Sequence, residues 1–146
     1  MEIKTIEATH FDDWLPLWDG YLVFYETTLK DEITRDVFDR ICDKNYGQMG
    51  GFIAYENGVA LGLVHYIIHD NTWSDKKVCY LEDLFTAAEA RGKGVGRALI
   101  EKVAEYAKQT NCRHVYWQTH KTNKTAQALY NKVAEDTEFL VYKKTI

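Results

Sequence analysis

Proline is nearly absent from these 146 residues: Pro16 stands alone. A chain so poor in proline offers no proline-rich linker. Cysteine is scarce as well. Cys42, Cys79 and Cys112 lack C-x-x-C spacing, which excludes a disulfide framework and the usual zinc patterns. A reducing, cytoplasmic setting is the expectation. No run approaches the roughly 18 apolar residues of a membrane span. Met1-Glu2-Ile3-Lys4 leads straight into β-like alternation, without a signal-peptide pattern. Positive charge is also short: 18 Lys and Arg face 22 Asp and Glu, a formal net charge of −4 that argues against a nucleic-acid partner. His65 and His69 share one strand face with no Cys or carboxylate cluster beside them in sequence, so no metal is expected there. There is no repeat or low-complexity tract. A 46% hydrophobic chain of this length is expected to form one domain, residues 1–146, around a sizeable core.

Glycine, by contrast, is concentrated where it matters. Arg91 to Arg97 reads R-G-K-G-V-G-R, between an apolar strand-like run and an amphipathic helix over 95–108. A strand emptying through glycines into a helix can hold phosphate: the backbone passes close to the ligand and the helix N-terminus adds positive potential. Arg91, Lys93 and Arg97 add charge in the same place. Spacing separates the known phosphate loops. A Walker loop needs Lys followed by a hydroxyl, but Gly94 follows Lys93. A dinucleotide fingerprint needs glycine where Arg97 stands. The pattern that fits is R-x-x-G-x-G, Arg91 to Gly96.

That loop resembles the coenzyme A pyrophosphate loop of the GCN5-related N-acetyltransferases. A second landmark follows in order: Asn123 to Tyr130 reads N-x-x-A-x-x-L-Y, similar to the family's helix over the coenzyme. Leu81-Glu82-Asp83-Leu84-Phe85, the aromatic run from Trp14 to Tyr25, Thr72-Trp73 and Val115-Tyr116-Trp117 resemble the fungal histone/polyamine and diamine acetyltransferase branch. One departure stands out. Many members carry a glycine soon after the tyrosine, whereas 132–139 has none and is longer.

The resemblance implies an α/β fold with a mixed, twisted sheet of six to seven strands, helices on both faces and splayed central strands. Periodicity predicts a strand over 1–7, then a helix over 11–26 with Thr9 as N-cap and Pro16 in its first turns. Thr34 is expected to cap a second helix ending near Lys44. A hairpin turning at Asn57-Gly58 follows, then strands over 78–86, 114–119 and 138–144, with helices over 95–108 and 123–133.

The resemblance further implies acetyl-CoA as co-substrate and a homodimer. It places the phosphates against Arg91, Gly92, Lys93, Gly94, Val95, Gly96 and Arg97. The pantetheine arm would lie along the backbone of Leu84, Phe85 and Thr86, with Asn123 a coenzyme contact and Lys132 a further phosphate partner. Asn123 has a competing role as a helix N-cap. Amine acetylation needs a deprotonated amine and a protonated leaving thiolate. Tyr130 is the candidate acid, since a phenol's pKa of about 10 matches that of a thiol leaving group. Glu82 is the candidate base. Strict alternation puts Glu82 and Asp83 on opposite faces, so only one of them can face a given side. Ordered water is the competing base, and His120 a weaker one. No cysteine has a histidine placed beside it, so direct attack in a ternary complex is expected.

The acceptor is expected to be a small primary amine. Residues 1–46 carry eleven acids and five bases, a charge of −6 that leaves the remainder at +2. An acidic first third suits a cationic amine, although solvated helix faces explain most such acids equally well. Trp14, Trp18, Tyr21 and Tyr25 form one helical stripe, either core packing or in part an acceptor wall. Tyr25, Glu26 and Trp73 are the candidate acceptor contacts. Two rivals remain: a protein or peptide amine as acceptor, and an acyl-CoA sensor without turnover.

Overall fold

Asn57 and Gly58 take φ of 51° and 78°, the pair of left-handed residues that a tight hairpin requires. They join β2, Met49–Glu56, to β3, Val59–His69. In the computed structural model, which describes Met1–Ile146, this hairpin is the middle of a five-stranded sheet. The remaining strands are β1 (Glu2–Thr5), β4 (Val78–Thr86) and β5 (Val115–Tyr116). Spatial order follows chain order; every neighbouring pair is antiparallel except the parallel β4–β5.

Helices α1 (Phe11–Phe24) and α2 (Asp31–Cys42) cover one face. Trp14, Leu17, Trp18 and Phe38 pack there on Ile53 and Leu63. Helix α3 (Val95–Gln109) covers the other face, burying Val95, Leu99 and Val103 against Phe52, Val64 and Leu81. Helix α4, Lys124–Val133, follows β5. Helix α1 lies so close to β4 that a Cβ on Gly20 would sit 2.7 Å from the Phe85 ring.

Several boundaries differ from expectation. A 3-10 turn, Ala8–His10, precedes α1, so His10 rather than Thr9 is the N-cap; Glu7 and His10 bond reciprocally across that turn. Helix α1 ends at Phe24, leaving Glu26 beyond it with φ of 52°. Helix α2 begins at Asp31, so Thr34 is a buried interior residue and not a cap. The sheet has five strands rather than six or seven. The strand expected over 138–144 is not formed: Phe139, Leu140, Val141 and Tyr142 are 73–89% exposed. The physical reason is the absence of a partner, since the run Phe139-Leu140-Val141-Tyr142 is strand-prone but only a neighbouring strand satisfies its backbone.

Two irregularities in the sheet shape the site. The β4–β5 pairing is only two residues long, Cys79 with Val115 and Tyr80 with Tyr116, after which the strands part. In the β3–β4 ladder His65 pairs with Asp83 and Tyr66 with Leu81, so Glu82 is an extra residue, a β-bulge.

Candidate active site

Strand β4 runs from the parting with β5 directly into the glycine loop. Arg91 is extended, its Nε 3.4 Å from the Thr86 carbonyl, and Gly92 and Gly94 take φ of 76° and 81°. A Cβ at either glycine would meet nothing within 4 Å, so the loop presents an open backbone surface. Gly94 is the N-cap of α3, and no side chain caps that helix. Its first N–H groups therefore have neither an intrahelical nor a side-chain partner, the arrangement that accepts phosphate oxygens. Val95 is fully buried and can contribute only its backbone. Arg97 pairs with Glu101 at 2.8 Å, which moderates its charge in the loop; Lys93 has no such partner among the ion pairs.

The bulge at Glu82 corrects the alternation expected along β4. Cys79 and Leu81 pack on the α3 side, and so does Leu84, whereas Phe85 packs on the α1 side. The phase changes between Leu81 and Leu84. Leu84 and Phe85 have thus exchanged faces relative to strict alternation, and Asp83 joins Glu82 on the α1 face. There the two carboxylates influence each other and Tyr21 and Tyr80 together. Burial, then the neighbouring Asp83 charge, raises the Glu82 carboxyl above its ordinary range, with His65 opposing.

The aromatic stripe divides along its length. Trp14 and Trp18 are buried and stacked at 5.5 Å; Tyr21 stacks on Trp18 at 5.3 Å, and Tyr25 follows at 4.9 Å, 46% exposed. The ladder leads from core to surface: Trp14 and Trp18 pack in the core, and Tyr25 reaches solvent. Burial and then Asp83 push the Tyr21 phenol far above its usual value, and the same causes raise Tyr25. At the far side Tyr130 of α4 packs edge-on against Trp117, with ring centroids 5.4 Å apart. Burial, then nearby Tyr25, raises the Tyr130 phenol. It therefore keeps its proton at neutral pH, the form a general acid needs. Tyr80 and Tyr116, 4.8 Å apart, floor the point where the strands part, and burial pushes Tyr80 up to about 12.

Other candidates lie outside this group. Trp73 is 83% exposed, over Arg113 at 5.9 Å, in a shallow depression shared with His69, His114 and Tyr116. Glu26 is exposed past the end of α1. Asn123 is the N-cap of α4, its side-chain oxygen accepting from the Ala126 N–H at 3.3 Å, which leaves its amide group for any other contact. Lys132 is exposed in the last turn of α4. His120 is tied to the Thr122 hydroxyl at 2.8 Å in a turn. Burial pushes the Cys79 thiol up to about 12 and the Cys42 thiol up to about 11, the opposite of an activated nucleophile.

Asp83 and His65 lie on this face although alternation does not reveal it, next to Tyr21 of the expected aromatic stripe. A signal for Asp83 exists in the sequence: the apolar phase shifts from Cys79 and Leu81 to Leu84, which marks an inserted residue.

A glycine loop thus opens onto an uncapped helix, beside two strands that pair at two residues and then part. The chain belongs to the acetyltransferase (GNAT) family, whose sequence model matches residues 11–134. It is 38% identical over 144 residues to the D-amino-acid N-acetyltransferase HPA3 of Saccharomyces cerevisiae, covering 97% of this chain and 89% of the relative. It is 27% identical over 150 residues to an aminoglycoside N(6')-acetyltransferase type 1 of Salmonella typhimurium, covering 97% of each. Its fold is similar to that of the aminoglycoside acetyltransferase AAC(6')-Iy, solved in complex with the bisubstrate analogue CoA-S-monomethyl-acetylneamine. There the TM-score is 0.86 at 23% identity, over 99% of this chain and 97% of the other. The protein is an N-acetyltransferase with the GNAT fold.

Proposed function

We propose that this chain, as one acetyltransferase domain, transfers acetyl from acetyl-CoA to a primary amine of a small cationic molecule by direct attack. The observation that carries this reading is the bulge: it puts both carboxylates on the face that the tyrosines of α1 cover, near where β4 and β5 part. Anionic groups among aromatic faces suit an ammonium. The named substrates of the relatives, D-amino acids and aminoglycosides, are small amines too.

In this reading Arg91 to Arg97 hold the pyrophosphate and Asn123 and Lys132 add contacts, while the backbone of Leu84 to Thr86 orients the acyl arm. Glu82 accepts the proton of the acceptor ammonium. The amine nitrogen then bonds to the thioester carbon, the C–S bond breaks, Tyr130 gives its proton to the departing sulfur, and the second proton lost by the nitrogen restores the Tyr130 phenol. Tyr25 lines the acceptor entrance; Trp73 and Glu26 border it more distantly. The raised Glu82 carboxyl predicts a pH signature. A base works only when deprotonated, so kcat/KM falls as pH drops through a pKa above the ordinary carboxylate range. Glu82→Gln should lower kcat/KM and remove that acid limb. An unchanged limb in steady-state pH profiles would assign the proton to another group.

We further infer a cytoplasmic homodimer. Strand β5 is an open edge, and Phe139 to Tyr142 form an exposed, strand-prone segment in the same chain. Light scattering should give twice the mass of one chain, and a chain ending at Thr137 should lose that association. A monomeric full-length protein would refute it.

A further inference from the structure

Glu82 lies on one side of the two-residue β4–β5 pairing. On the other side of that pairing is the shallow depression lined by His69, Trp73, Arg113, His114 and Tyr116, with Val78 beneath. Val78 and His114 stand two residues before Tyr80 and Tyr116, so period two keeps them on the same face of the sheet. None of the residues lining the depression is acidic. The loop beside it holds two acids, Asp70 and Asp75, and two bases, Lys76 and Lys77, with Lys77 on Asp70 at 3.1 Å. His69 is committed: Nδ1 lies 2.7 Å from the Asp70 carbonyl and Nε2 2.8 Å from the Tyr116 hydroxyl. A carbonyl only accepts, so in the neutral ring Nδ1 donates to it and Tyr116 donates to Nε2. Arg113 is not committed. Its guanidinium rests 5.9 Å over the Trp73 ring and joins no ion pair.

One face of the sheet thus has an anionic end at Glu82 and a cationic end at Arg113. A guanidinium over an aromatic face keeps its N–H edge free, and that edge meets a carboxylate in two parallel bonds. Resting on the acetyltransferase reading above, we propose that Arg113, held by Trp73, binds a carboxylate at the far end of the acceptor from the amine that is acetylated. The ammonium end still meets the carboxylates of β4. Acceptor length follows from the register. Tyr116 is level with Tyr80, so the level of His114 is four strand residues from Glu82. That is roughly 13 Å, which the side chains at both ends shorten. An α-amino acid carries its carboxylate beside its amine and cannot bridge this distance. A long ω-amino carboxylate can.

The test compares 8-aminooctanoate, its uncharged isostere 8-aminooctanamide and the short 4-aminobutanoate as acceptors under saturating acetyl-CoA. The wild-type protein should favour 8-aminooctanoate over each of the others in kcat/KM by about tenfold or more. Arg113→Gln keeps the length and polarity of the side chain but removes its charge; it should bring the carboxylate-to-amide ratio to within about threefold of one. Arg113→Lys, which retains the charge without the fork, should keep more of the ratio than Arg113→Gln. A merely structural role would lower both long acceptors alike and leave their ratio intact. A ratio unchanged in Arg113→Gln, a ratio near one in the wild type, or 4-aminobutanoate matching 8-aminooctanoate overturns the proposal alone. So does no turnover of these three while another primary amine is acetylated. No thiol release with any amine overturns it together with the reading beneath it.

Discussion

Gly94→Asp should abolish acetyl-CoA binding while leaving the protein folded. Gly94 has φ of 81° and caps α3, and a side chain there would enter open space rather than the core. The backbone cost of a left-handed aspartate is about 1–2 kcal/mol, and aspartate tolerates that conformation better than most residues. A carboxylate at a helix N-terminus even favours the helix. The new charge, however, occupies the position that the uncapped N–H groups offer to pyrophosphate, and two anions at such range repel strongly. Affinity should fall at least about a hundredfold by calorimetry, with circular dichroism unchanged. Binding within threefold of wild type would remove the loop from the cofactor site. An alanine at the same position separates the two effects, since it carries the backbone cost without the charge.

Tyr130→Phe should lower kcat well over tenfold and leave acetyl-CoA affinity nearly intact. General acids contribute on the order of 10²–10⁴ in rate. Phenylalanine keeps the edge-on packing with Trp117 and removes only the hydroxyl. Burial and Tyr25 raise this phenol, so wild-type activity should hold through neutral pH without a basic limb from Tyr130. Equal loss of binding and turnover would make the residue a packing element instead. Steady-state kinetics beside equilibrium binding distinguishes the two.

The loop from Arg91 to Gly96, the hairpin at Asn57-Gly58 and the helix from Asn123 were all legible in sequence, because glycine conformations, turn chemistry and caps are local. What escaped was set by pairing between distant residues. The bulge at Glu82 is defined by which β3 residue faces which β4 residue, and period-two reasoning along one strand assumes that no such slip exists. It consequently separated Asp83 from Glu82. His65 looked isolated for the same reason, since its hydrogen-bond partners Trp14 and Asp83 are 51 and 18 residues away. The segment over 138–144 has the apolar, aromatic composition of a strand but no partner within one copy, which local pattern cannot supply. The first helix starts at Phe11 as expected, though a 3-10 turn stands before it in place of a Thr9 cap, and the second starts at Asp31, ahead of the hydroxyl cap expected at Thr34.

The central claim is acetyl transfer to a small cationic amine. It is tested most directly by measuring free-thiol release from acetyl-CoA across spermidine, putrescine, D- and L-amino acids, aminoglycosides and a histone-tail peptide. Saturable turnover is predicted on a small cationic amine, with the peptide a poor acceptor. Tight acetyl-CoA binding without thiol release on any amine, or turnover on the peptide alone, would contradict it.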